Sequence, residues 1–133
     1  MYIKGLKLLD DPEMVNAGDP CIVEMSNFGN YIYSIKKVDR VTKTKIVVGC
    51  IDFKKGRRKT DDFGVHSTYI YKYEEWAAQK IRDYNKKFNT LNQLKSLLDR
   101  TGIEKIISRM TDEDMVNLCN IFENFKKYEN QVY

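Results

Sequence analysis

The hydrophobic period of the chain changes at Tyr73. Before that point apolar residues alternate with polar ones; after it they recur every three to four positions. Alternation lines one face of a β-strand, whereas a spacing near 3.6 lines one face of a helix. The pattern predicts an α+β chain, strands first. Its 133 residues suit one domain, or a small domain with an appendage. Residues 1–73 are expected to form a small β domain and residues 74–133 a helical segment of three to four helices.

In the β half, Ala17-Gly18-Asp19-Pro20 reads as a turn into the strand CIVEM, with Cys21, Val23 and Met25 on one face. Asn27-Phe28-Gly29-Asn30 reads as a tight turn, since Gly and Asn accept the positive φ such turns require. YIYSIKKV then alternates, Tyr31, Tyr33 and Ile35 against Ile32, Ser34 and Val38. KIVVGCIDF is expected to be one strand bent or bulged at Gly49, and VHSTYIYKY is the last, with Tyr69 and Tyr71 opposite Ile70. Short strands joined by tight turns suit a small β-barrel or a bent antiparallel sheet.

In the helical half, Ala77, Ile81, Tyr84 and Phe88 form one stripe. Thr90 is expected to cap a second helix carrying Leu91, Leu94, Leu97 and Leu98, ended by Thr101-Gly102. A short helix over 103–110 follows. Thr111 caps the last helix, with Asp112, Glu113 and Asp114 in its first turn and Met115, Leu118, Cys119, Phe122 and Phe125 as its stripe. These stripes serve equally for an internal core or for a partner helix, which leaves a homodimer through the tail open.

Charge is unevenly placed. Residues 36–59 hold ten basic and two acidic residues, net +8, while the remainder holds thirteen basic and seventeen acidic, net −4. The cations crowd at Lys54, Lys55, Arg57, Arg58 and Lys59, with Lys43 and Lys45 upstream. One cationic segment on an acidic body steers a polyanion toward one face. Tyr69 and Tyr71, if exposed beside it, would offer a stacking surface for bases; on an inner face they would be core.

Little else points to chemistry. Cys21, Cys50 and Cys119 are far apart and odd in number, so neither a disulfide scaffold nor a zinc clip is expected. Asp62-Phe63-Gly64 spells a kinase triplet, but the glycine-rich and catalytic loops of a kinase are missing. A small metal-dependent nuclease would have to use Asp61, Asp62 and His66. Neither a cofactor nor catalytic or metal-binding residues are expected. No apolar run reaches the ~18 residues of a membrane span, and the N-terminus lacks the features of a signal peptide, which points to an intracellular protein.

The span from Ala17 to Arg58, with Tyr69 to Trp76, resembles small bacteriophage proteins that open with an SH3-like β-barrel and end in a helical tail. The matching residues are Gly18-Asp19, Gly29, Val41-Thr42-Lys43-Thr44, Val48-Gly49, Phe53, Gly56 and the segment from Tyr69 to Trp76. The resemblance covers about half the chain and lies mostly in turn and core positions. It implies a non-enzymatic accessory protein in the cytoplasm of a bacterial host. Such a protein would bind and inhibit a host protein or protein–nucleic-acid complex, as an anti-defence factor does. A module binding DNA or RNA through the basic segment and the strand tyrosines is the alternative.

Overall fold

The computed structural model describes residues 1–58 and 66–132. Two compact units divide the chain, residues 1–87 and 88–133.

Among its described residues the first unit contains six strands: β1 (Pro20–Asn27), β2 (Asn30–Lys37), β3 (Arg40–Val41), β4 (Ile46–Val48), β5 (Ile51–Phe53) and β6 (His66–Lys72). They form two antiparallel three-stranded sheets, ordered β2-β1-β6 and β3-β4-β5. The expected alternation reappears as cross-strand register. Val23 faces Ser34 and Ile70, and Glu24 faces Tyr33 and Tyr69.

Strand β1 is central and is covered on both faces, so Cys21, Ile22, Val23 and Glu24 are all buried. Cys21, Val23 and Ile70 pack against Ile46, Val48 and Phe53 of the second sheet, with Leu9, Val15 and Val38 closing the margins. Ile22 and Tyr33 face the other way, onto Ile3, Ala77 and Ile81. Helix α1 (Glu75–Thr101) lays its first turns on that face. Ala77 and Ala78 are fully buried there, and side chains this small let the helix backbone lie close to the sheet. At its start the Arg82 guanidinium donates to Glu75 and to the Tyr73 hydroxyl, at 2.8 and 3.0 Å. The Tyr73 hydroxyl in turn donates to Glu75, and these bonds hold the Glu75 carboxyl below its ordinary pKa.

Three two-residue turns set the strand geometry. Phe28-Gly29, Gly49-Cys50 and Lys55-Gly56 each have positive φ at both central positions, the signature of a type I′ turn, whose twist matches that of antiparallel strands. The second corrects the sequence reading. KIVVGCIDF is two three-residue strands folded back at Gly49-Cys50. The Gly49 amide donates to the Asp39 carboxylate at 2.6 Å, which fixes the turn. The second sheet is therefore separate from the first, and among the described residues the strands form two open sheets instead of a closed barrel.

Alternation ends at Tyr73, and α1 begins two residues later. It runs unbroken through Thr90, so no second helix starts there. Helices α2 (Ile103–Ile107) and α3 (Asp112–Val132) follow, making three α-helices among the described residues. Thr111 caps α3 as expected: its hydroxyl accepts from the Asp114 amide, and the Asp114 carboxylate accepts from the Thr111 amide, both at 3.1 Å.

All three cysteines are free thiols; Cys50 and Cys119 are exposed. Burial, with Asp39 adding to it, pushes the Cys21 thiol up to about 11 and keeps it neutral. No helix among the described residues is long and apolar enough to cross a membrane.

Two isoleucines on neighbouring strands test this layering. Ile22 is fully buried, whereas Ile32 is 62 % exposed. Ile22→Ala should cost about 2–5 kcal/mol in urea unfolding. Ile32→Ala should cost under ~0.5 kcal/mol, as expected of a surface position.

Candidate functional site

The cationic segment reaches one end of the second sheet by two routes. Antiparallel β4 and β5 pair Ile46 with Phe53, so the start of β4 and the end of β5 lie side by side. The Thr42–Lys45 turn precedes the first, and the Lys54–Arg57 turn follows the second. Both turns therefore stand at the same end of the sheet. In the first, the Thr42 hydroxyl accepts from the Lys45 amide at 3.1 Å and the Thr44 amide at 3.4 Å, which holds exposed Lys43 near the apex.

Lys54–Arg57 is no solvated tip. Lys54 and Arg57 exchange backbone hydrogen bonds of 3.0 and 3.1 Å across the turn. The chain then runs onto the free edge of β6: the Ile70 amide donates to the Gly56 carbonyl, and the Arg58 amide to the Thr68 carbonyl, both at 2.9 Å. The N-terminal segment covers the rest of that edge, the Leu9 amide donating to the Ile70 carbonyl at 3.0 Å and the Lys72 amide to the Lys7 carbonyl at 2.7 Å. Gly56 lies buried between these segments. A Cβ there would stand 2.4 Å from Leu8 Cγ. Backbone pairing and a glycine-only contact thus fix four exposed cations: Lys54, Lys55, Arg57 and Arg58.

The two acids of the segment are engaged elsewhere. Asp39 accepts from the Gly49 amide, and Asp52 pairs with Lys45 at 3.1 Å. Lys45 is thereby paired at the rim. Among the described residues no ion pair reaches Lys43, Lys54, Lys55, Arg57 or Arg58. Lys36, Lys37 and Arg40 are exposed as well. Lys59, Asp61 and Asp62 lie outside the described residues, as does the side chain of His66. Among the described residues no three His, Cys, Asp or Glu side chains stand together as a metal site.

Arg57 is directly opposite Tyr69 in register, and directly opposed residues of an antiparallel pair share a face. It is the face that carries Tyr31, Tyr33 and Tyr71, on the α1 side of the first sheet. The tyrosines are not equivalent. Tyr33 is buried, and its hydroxyl accepts from the Ile3 amide at 3.2 Å. Tyr71 is half-buried and packs with Ile22. Tyr69 is half-buried at the margin beside Arg57, its ring 6.4 Å from that of Tyr71.

Between them lies Glu24, only 4 % exposed, which sequence reasoning missed. Burial raises the pKa of both Tyr33 and Tyr71, and the Glu24 carboxyl beside them raises both further. Since Tyr33 already accepts from a backbone amide, its own proton is free to go to Glu24. Tyr33 and Tyr71 thus hold a buried acid inside the sheet–helix layer, which leaves Tyr69 as the tyrosine next to the cationic turn.

Two glycines separate conformational strain from close contact. Gly29 and Gly56 both have φ near +80°, but a Cβ on Gly29 meets nothing within 4 Å. Gly29→Ala should cost about 1 kcal/mol, the lower end of left-handed backbone strain. Gly56→Ala, which also drives into Leu8, should cost at least ~2 kcal/mol. Urea midpoints of the two variants measure the difference.

No family model, no curated protein and no solved structure matches the chain.

Proposed function

We propose that this chain is a non-enzymatic binding protein that docks through its cationic edge on the phosphate backbone of a nucleic acid, free or held in a host complex. The observation that carries the reading is the Lys54–Arg57 turn. Its four exposed cations are fixed by backbone pairing to β6 and are free of ion pairs among the described residues. A cluster fixed in advance spends little conformational entropy on contact, and each phosphate it meets releases condensed counterions. Lys43 extends the cluster along the same end of the second sheet, and Tyr69 places an aromatic ring beside Arg57. The resemblance to small phage proteins with an SH3-like barrel and helical tail supplies the setting: an accessory protein that disables a host defence factor by occupying the surface that meets nucleic acid.

Labelled single- and double-stranded DNA and RNA, titrated at low and moderate salt, test the reading. Binding should weaken linearly in log–log form as salt rises, with a slope near 0.9 per duplex phosphate contacted. Replacing Lys54, Lys55, Arg57 and Arg58 together by serine should lower that slope by about 3–4. Absence of salt-dependent binding to any of the four probes would count against nucleic acid as the ligand. A stoichiometric protein captured from nuclease-treated bacterial lysate by the wild type, and by the serine variant equally well, would move the docking surface elsewhere.

A further inference from the structure

Among the described residues the second unit shows no core of its own. Among the described residues none after Ile81 is buried, although this stretch carries many of the chain's large apolar side chains. A helical unit of this size has to bury an apolar face or borrow one. Its six basic and seven acidic residues leave it near neutral, so neither a polyanion nor a polycation is attracted to it.

The pattern on α3 specifies what covers it. Met115, Leu118, Phe122 and Phe125 are spaced three, four and three apart, the a and d positions of a heptad, and each is 45–58 % exposed. The outward positions 113, 117, 120, 124 and 127 hold Glu, Asn, Asn, Asn and Lys. This seam is a palindrome about residue 120. Reversing the helix places Met115 opposite Phe125 and Leu118 opposite Phe122, each a position meeting a d position, as an antiparallel helix pair requires. The charges follow the same symmetry. Asp112 and Lys126 flank the seam on one edge, at equivalent heptad positions, and an antiparallel partner brings one opposite the other. Among the described residues Lys126 holds an exposed 3.4 Å pair with Glu123 and a position over the Phe122 ring, both readily exchanged. A parallel pair would instead set Lys126 beside Ile121 of the other helix, where no ion pair forms.

We infer that α3 pairs antiparallel with α3 of a second copy of this chain, about a two-fold axis near Asn120. Two heptads are short for a free-standing coiled coil. Leu91, Leu94 and Leu98, at i, i+3 and i+7 of α1 in the same unit, add a second apolar stripe to the buried surface.

Light scattering and sedimentation of the full chain at tens of micromolar should give twice the 15.7 kDa chain mass. Leu118→Glu with Phe122→Glu should give a monomer whose first unit still unfolds cooperatively by Trp76 fluorescence. Asp112→Lys should weaken the dimer about tenfold, and Lys126→Asp in the same chain should restore it. Orientation is read by oxidation in a Cys50→Ser, Cys119→Ser background. Met115→Cys alone should not cross-link, because antiparallel helices set the two thiols about 15 Å apart along the axis. Met115→Cys with Phe125→Cys should cross-link between chains. A monomeric wild type, a dimer that survives both glutamates, or cross-linking by Met115→Cys alone would overturn the assignment.

Discussion

The two-sided burial of β1 is the constraint on which the first unit depends. Four consecutive residues, Cys21 to Glu24, are buried, which no half-exposed strand allows. One face needs the second sheet and the other needs α1, so both must dock on the first sheet. Each fully buried Ile, Leu or Phe along these layers contributes roughly 1.5–3 kcal/mol. Glu24 is the expensive member of the set. Its polar surroundings come from Tyr33 of β2 and Tyr71 of β6, the strands that pair with β1 on either side.

The placement of the cations follows from the same layering. The second sheet covers one face of β1, so the chain leaving β5 must cross to the edge of β6. Lys54, Lys55, Arg57 and Arg58 occupy that crossing. Backbone pairing, a type I′ turn and the packing of Gly56 against Leu8 stiffen it, while the side chains stay in water. A charge cluster that composition alone would describe as a loop is thereby a fixed edge of the sandwich.

Much of this was legible in local pattern. Alternation found β1, β2 and β6; the Gly-Asn composition found the Phe28-Gly29 turn; Thr111 and its acids found the start of α3. The misses each have a physical source. At Gly49, a glycine between β-branched residues reads as a bend, and cysteine is a poor signal for positive φ. The turn exists because Asp39, ten residues earlier, binds the Gly49 amide, a contact that periodicity does not encode. At Thr90, a residue suited to capping sits inside a long helix, where its propensity costs only a few tenths of a kcal/mol. Glu24 was passed over because its surroundings depend on strand register with Tyr33 and Tyr69. The basic residues themselves were plain in the sequence, but their attachment to β6 was not, since the pairing runs between residues twelve positions apart.

Native-state hydrogen exchange of two amides tests most directly whether the cationic turn is part of the fold. The Ile70 amide donates to Gly56, and the Arg58 amide donates to Thr68. If the turn is built into the sandwich, both should exchange with opening free energies close to that of the Ile22 amide in β1. Exchange of Arg58 and Ile70 at the rate of an exposed peptide, with Ile22 still protected, would show a loose loop and contradict the account.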